Sequence, residues 1–301
     1  GRRGVAFDGV DSCFYIWLNG QYVVFSKNSR NAATFDITPY LVKGENEVAV
    51  EVYRSSDGSF LEAQDMFRLP GIFRTVALYS TPKVAIRDLK VVPDLDGDYT
   101  NGSLNITADV RNFGTKKAKD YSISYSLSAN ELYSDQNDLV EGVGVNSSLL
   151  TVDKKDQVEV ASRLNITNPN KWSSEAPYRY TLIAQLKDKK GRVVETVSTI
   201  VGFRKVEIKD TPASEDEFGL EGRYYYINGK PVKLTGVNRH ETNPERGHAI
   251  TREQMEDEVR LMQKANINHV RNAHYPTDPY WYFLCNKYGI YLEDEANIES
   301  H

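Results

Sequence analysis

The sequence is poor in cysteine, with two in 301 residues. Cys13 and Cys285 stand too far apart to suggest a disulfide framework or a zinc knuckle, and their apolar surroundings point to buried thiols. No apolar run approaches the roughly 20 residues that cross a bilayer as a helix, so no membrane partner is expected. Charge of one sign is not in excess either. The 37 Lys and Arg face 42 Asp and Glu, a formal net charge of −5, which leaves no electrostatic footprint for DNA or RNA. Apolar residues are not scarce: 40% hydrophobic and 26% charged is the composition of a folded globular chain, not a disordered one. There is neither an initiator Met nor a signal-like stretch at the start, and the last residues break off just after a strand. The chain is therefore expected to be a piece of a longer protein, and its compartment stays open.

What is present reads first as β structure. Val5–Phe7, Phe14–Leu18, Tyr22–Phe25 and Glu47–Tyr53 are short strand-like runs separated by turn signals. Asn19-Gly20 between two of them marks a hairpin, because a type I′ turn needs positive φ at both central residues. Strands at this spacing indicate a sandwich or jelly roll. A second block repeats the style with different content. Leu104–Val110 alternates apolar and polar, and Tyr121–Leu127, Gln157–Leu164, Tyr180–Leu186 and Val193–Val201 follow. Such a set fits an immunoglobulin-like sandwich, though without the Cys-Trp-Cys pattern of antibody domains. The polar stretch 209–219 reads as a linker or long loop.

From about residue 222 the pattern changes to alternating strand and helix. Lys233–Val237 is expected as a strand. Thr251 then opens a helix as N-cap, with Gln254 completing a capping box, and Met255, Val259 and Met262 form its buried stripe. A strand over 268–272 follows, then a helix that starts at Asp278-Pro279 and stops at Gly289. A third strand, Ile290–Leu292, ends the series. Three strands with two intervening helices make a βαβαβ unit, and hence parallel strands.

Polar residues gather after the C-terminal end of each of these strands. The first leads into Asn238-Arg239-His240-Glu241, the second into Arg271-Asn272-Ala273-His274-Tyr275-Pro276. The third leads into Asp294-Glu295-Ala296-Asn297-Ile298-Glu299-Ser300-His301. Parallel α/β folds place their ligand sites at this edge. Any one cluster could be a solvated loop; three in register point to a site. Glu299 and His301, two apart, share one side of an extended chain and could offer an oxygen and a nitrogen to a divalent cation, although Glu-x-His alone is a weak motif. In the first block, Gln64-Asp65-Met66-Phe67-Arg68 and Gly71-Ile72-Phe73-Arg74 set charges among large apolar residues. Spacing alone leaves open a structural Asp65–Arg68 or Asp65–Arg74 pair.

These motifs, taken together, resemble the glycoside hydrolase family 2 β-galactosidases of the bacterial LacZ type. Gly236-Val237-Asn238-Arg239-His240-Glu241, Ala273-His274-Tyr275-Pro276 and Asp294 to His301 look like three of that family's barrel motifs, in order. Gln64 to Arg68 with Gly71 to Arg74 looks like its jelly-roll loop, while Asn168-Pro169-Asn170-Lys171-Trp172-Ser173 and Val201-Gly202-Phe203-Arg204 resemble landmarks of its immunoglobulin-like domain. The resemblance implies a partial jelly roll over 1–82, an immunoglobulin-like sandwich over 83–205, and over 206–301 the first three βα units of a (β/α)8 barrel. It also implies that Asp65, His240 and His274 bind galactose, with Asn238, Arg271 and Asp294 supporting the site. Glu299 and His301 would be magnesium ligands, with sodium near the Asp65 loop. Family members hydrolyse terminal β-galactosides with retention, using two glutamates about 5–5.5 Å apart. Those glutamates lie on later barrel strands in the family, so none is assigned here and the 301 residues alone are expected to be inactive. The resemblance further implies an oligomeric enzyme. Two other readings stand beside it: a noncatalytic carbohydrate-binding scaffold of two β sandwiches, and a β-glucuronidase or β-mannosidase of the same family.

Overall fold

The structure is a computed structural model that describes residues 1–300. By contacts the chain forms two compact units. One comprises Gly1–Thr81, Thr235–Cys285 and Ile290 onward; the other comprises Pro82–Leu234 with Asn286–Gly289.

In the first unit, two antiparallel three-stranded sheets face each other. Arg2–Phe7 runs between Ala33–Asp36 and Val76–Thr81, and Cys13–Leu18 runs between Gln21–Lys27 and Val48–Tyr53. Alternation decides which side chains meet. Phe14, Ile16 and Leu18 turn inward to join Val5, Phe7 and Val10, and the Phe7 and Phe14 ring centroids lie 5.0 Å apart. The turn Asn19-Gly20 has φ of 51° and 74°, so the hairpin expected from that dipeptide is present.

The same unit contains a small parallel sheet. Gly236–Arg239 pairs with His269–Asn272, which pairs with Tyr291–Glu293. The first strand begins three residues later than the apolar run 233–237 suggested. Thr235 is taken up before the ladder starts: its carbonyl accepts from the Asn268 backbone (3.0 Å) and its N–H donates to the Asn268 side chain (2.8 Å). Between the strands lie α1 (Arg252–Lys264) and α2 (Pro279–Tyr288). The capping box expected at Thr251 forms in both directions, Gln254 N–H to Thr251 Oγ1 at 3.2 Å and Thr251 N–H to Gln254 Oε1 at 2.9 Å. Met255, Val259 and Met262 are buried beneath α1, and Trp281, Leu284 and Cys285 beneath α2. Desolvation raises the Cys285 thiol to about 12, so it stays a packed thiol rather than a nucleophile. The three strands and two helices are the opening of a (β/α)8 barrel.

The second unit is an immunoglobulin-like sandwich. One sheet runs Gln157–Ile166, Gly102–Asn112, Val84–Leu95; the other runs Asn137–Asn146, Ala118–Asn130, Tyr180–Lys187, Val193–Val201. Leu104, Ile106, Ala108 and Val110 from one sheet pack into the same core as Ile123, Leu127, Leu182 and Leu186 from the other. The stretch expected to be a linker is partly ordered. Val206–Thr211 pairs antiparallel with Gly222–Ile227, because Thr211 is buried and shares a 2.7 Å hydrogen bond with Tyr226. Glu207 and Lys209 share the face of Thr211 and are half-buried, Lys209 meeting Glu207 (3.1 Å) and the Tyr99 hydroxyl (2.8 Å), while Val206, Ile208 and Asp210 face outward.

Thr251→Ala removes the side-chain acceptor of an N-terminal amide in α1 and should destabilise the first unit by about 1 kcal/mol. Urea unfolding of the variant against the parent sequence checks this through a lower midpoint at unchanged slope.

Candidate active site

Parallel pairing places Asn238 opposite Arg271, and Arg271 opposite Glu293. The segments that follow these strands therefore leave the sheet at one edge and can converge. They do. The His240 and His274 rings meet edge to face, 5.2 Å apart. Arg271 reaches across to Asn238 (Nη1 to Oδ1, 3.4 Å) and grips Glu295, with Nε 2.5 Å from Oε1 and Nη2 closer still. The other Glu295 oxygen lies 3.0 Å from His274 Nδ1. Asp65, on the jelly-roll loop, is among the charges that His240 feels.

His240 is held below the ordinary histidine range. Burial contributes most, followed by the positive character of His274, His248 and Arg271, with Asp65 pulling the other way. At neutral pH the ring is uncharged. The one guanidinium of the cluster, Arg271, is matched by Glu295. The site thus presents a neutral His240 imidazole and an internally balanced ion pair, within reach of the Asp65 charge.

Asp65 itself is exposed, and its loop is anchored on both sides. Upstream, the buried Gln64 donates from Nε2 to Asn297 Oδ1 at 2.7 Å. Main-chain bonds join Glu299 N–H to Leu61 C=O (2.7 Å) and Ala63 N–H to Glu299 C=O (2.8 Å), an isolated parallel bridge between Glu62 and Glu299. Downstream, the buried His248 sits between two carbonyl oxygens, Nε2 at 2.6 Å from Phe67 and Nδ1 at 2.8 Å from Glu241.

Neither of the pairs that spacing left open, Asp65–Arg68 or Asp65–Arg74, is among the ion pairs of the described residues. Arg74 instead pairs with Glu241, Nη2 to Oε2 at 2.7 Å and Nε to Oε1 at 3.3 Å, with side chains only 3% and 1% exposed. Burial selects this partner. A buried guanidinium needs a carboxylate and a full set of acceptors, and Arg74 finds them in Glu241 plus the carbonyls of Asp8, Arg30 and Pro276. Glu241 Oε1 also accepts from Thr277 Oγ1 and the Asp278 N–H, both at 3.2 Å. Glu241 is thus a structural residue despite standing next to His240.

The remaining expected site residues fall apart from the cluster. Asp294 accepts from Tyr282 Oη at 2.7 Å and from Asn272 Nδ2 at 3.2 Å; that carboxylate and desolvation raise the Tyr282 hydroxyl. Glu299 is half-buried and joined to the Asp65 loop through its main chain, and His301 lies outside the described residues. Among the described residues no group of three or more His, Cys, Asp or Glu stands close enough to hold a metal ion. They do not by themselves complete a magnesium site. Glu295, Gln64, Asn297 and His248 were not singled out from the sequence. For Glu295 the signal was available: an acidic residue one loop beyond a strand whose neighbour carries Arg271 at the same edge.

A jelly-roll loop is thus pinned over the C-terminal edge of an incipient (β/α)8 barrel, where two histidines meet. Comparison with known families gives a match in three consecutive pieces. Residues 1–82 match the sugar binding domain of glycosyl hydrolases family 2, residues 84–204 match glycosyl hydrolases family 2, and residues 218–301 match its TIM barrel domain. The chain belongs to glycosyl hydrolase family 2. It is 45% identical over 301 residues to a β-galactosidase of Priestia megaterium, and 40% identical over 299 residues to a β-galactosidase of Photobacterium profundum. In each case 99% of this chain aligns with 27% of the other. The chain thus spans about a quarter of the length of the curated relatives it matches. A solved β-glucuronidase of Bacteroides uniformis shares the fold, with a TM-score of 0.86 at 21% identity over 99% of this chain and 34% of its own.

Arg74→Met would leave Glu241 buried without its cation and should destabilise the first unit by about 3–5 kcal/mol. Pairing it with Glu241→Leu should recover much of that loss. A double-mutant cycle from denaturant unfolding measures the coupling, and additive effects would refute the assignment.

Proposed function

We propose that the chain is the sugar-binding portion of a retaining β-galactosidase, acting on terminal β-D-galactosides within a longer enzyme. The observation that carries this reading is the convergence of Asp65, His240, His274 and the Arg271–Glu295 pair at one edge of the parallel strands. A sugar in that space would meet a carboxylate able to accept from its hydroxyls, through the charge-assisted bonds that orient polar ligands most strongly. His240 and His274 would take further hydroxyls, and Asn238 and Arg271 would support the group from the sheet. Asp294 acts at a distance, by holding the strand-end loop through Tyr282 and Asn272.

The general acid/base and the nucleophile are contributed by segments outside residues 1–301, so the chain alone binds but does not hydrolyse. Retention then follows from the spacing of those two carboxyls. Glu299, with His301, is the contribution of this chain to a magnesium site completed from the rest of the enzyme.

A β-glucuronidase is the second reading, favoured by the shared fold of the Bacteroides uniformis enzyme. The balance of charge argues for the neutral sugar. A glucuronide carboxylate seeks an uncommitted cation, whereas Arg271 is committed to Glu295 and Asp65 adds negative charge.

Nitrophenyl β-galactoside and β-glucuronide assayed side by side on the full-length enzyme test the choice; preference for the glucuronide would reject it. Asp65→Ala in that enzyme should lower kcat/KM for the galactoside about 10- to 100-fold, the worth of one or two charged hydrogen bonds. Glu299→Gln should raise the magnesium concentration needed for half-maximal activity, and an unchanged titration would remove Glu299 from the metal site.

A further inference from the structure

We propose that Glu295 is a positioning residue that fixes the tautomer of His274, placing the ring hydrogen on Nδ1 and leaving Nε2 to accept from a sugar hydroxyl. The second half of this statement rests on the sugar-binding reading above; the first half does not.

The argument is one of donors and acceptors around a single atom. His274 Nδ1 lies 3.0 Å from Glu295 Oε2 and 3.2 Å from Arg271 Nη2. A carboxylate only accepts and a guanidinium only donates, so Nδ1 can satisfy one of them but not both. If Nδ1 were bare, its lone pair would face an anionic oxygen at hydrogen-bond distance. Arg271 loses little if Nδ1 does not accept, because Nε and Nη2 both engage Glu295. If Nδ1 carries the hydrogen, the ring donates to the carboxylate in a charge-assisted bond. The guanidinium keeps its own partner. That assignment puts a donor against Oε2, the nearer of the two neighbours of Nδ1, and avoids setting a lone pair against an anion.

One consequence separates Glu295 from a residue that merely ties a loop down. With the ring hydrogen on Nδ1, Nε2 is left as an acceptor, so the hydroxyl it meets must donate.

The test has two arms. Long-range ¹H–¹⁵N correlation spectra of the 301-residue chain at neutral pH should show His274 as the Nδ1–H tautomer, with Glu295→Gln converting it to the other tautomer or a mixture. An Nε2–H tautomer in the unaltered chain overturns the proposal whether or not the variant folds. In the full-length enzyme, Glu295→Gln should reduce kcat/KM for a β-galactoside roughly tenfold and have little further effect in a His274→Ala background. Equal losses in both backgrounds would mean that Glu295 does not act through His274. Should the enzyme cleave no β-galactoside, the sugar-binding reading fails while the tautomer result stands on its own.

Discussion

The buried pair Arg74–Glu241 is the constraint on which the first unit rests. It joins residues 167 positions apart, and neither side chain reaches water. Two charges removed from solvent are tolerated only when their geometry is good and their remaining hydrogen-bonding groups are filled. Here the guanidinium reaches three main-chain carbonyls besides its carboxylate, and the carboxylate collects a hydroxyl and an amide. Those partners belong to the jelly-roll turn at Asp8, the loop at Arg30 and the segment 276–278. One ion pair thus holds in place the segments on either side of His240 and His274. Around it, Arg30 is sandwiched by Phe73 at 4.6 Å and Tyr275 at 4.4 Å and paired with Asp11 at 3.1 Å, so the polar core is lined by rings rather than by water.

A second ion pair serves a different end. Arg271–Glu295 lies at the edge of the site, partly exposed at 33% and 24%, and Coulomb attraction is weaker in that setting. Its value is directional. Arg239, the residue before His240, shows the structural counterpart: it is buried, bonded to Glu258 at 2.6 Å and stacked 3.8 Å over Trp281. Adjacent residues on one strand therefore point to opposite purposes, Arg239 into the helical layer and His240 toward the site, as alternation along a strand requires.

Much of the fold was legible because local rules and tertiary packing agree. The Thr251–Gln254 box, the Met255–Val259–Met262 stripe and the Asn19-Gly20 turn each follow from a few neighbouring residues, and each is present. The positions of Gly236–Arg239 and Val206–Thr211 were not legible in the same way. Thr235 looks like strand sequence but is claimed by Asn268, and Lys209 looks like linker sequence but lies in a ladder, on the same face as buried Thr211. Pairing partners far along the chain decide such cases. The site shows the same division. His240, His274, Asn238 and Arg271 stand out at strand ends, and the structure brings them together; Asp65 was singled out for the site only through the family resemblance. That Arg74 belongs to Glu241 and not to Asp65 is a matter of burial, which spacing does not encode. Glu295 stands among four carboxylates in seven residues, and only its place two residues beyond a strand whose neighbour carries Arg271 sets it apart.

The bridge between Glu62 and Glu299 also sets an order of events. Its two halves are more than two hundred residues apart, yet Asn297 and Glu299 supply the Asp65 loop with its upstream anchor. During synthesis at about 5–20 residues per second, the loop emerges tens of seconds before that anchor exists. The sandwich strands around it can pair at once, since their partners are nearby in sequence. The loop cannot. The Asp65 carboxylate is thus settled later than the strands that flank it, because its upstream anchor is made last.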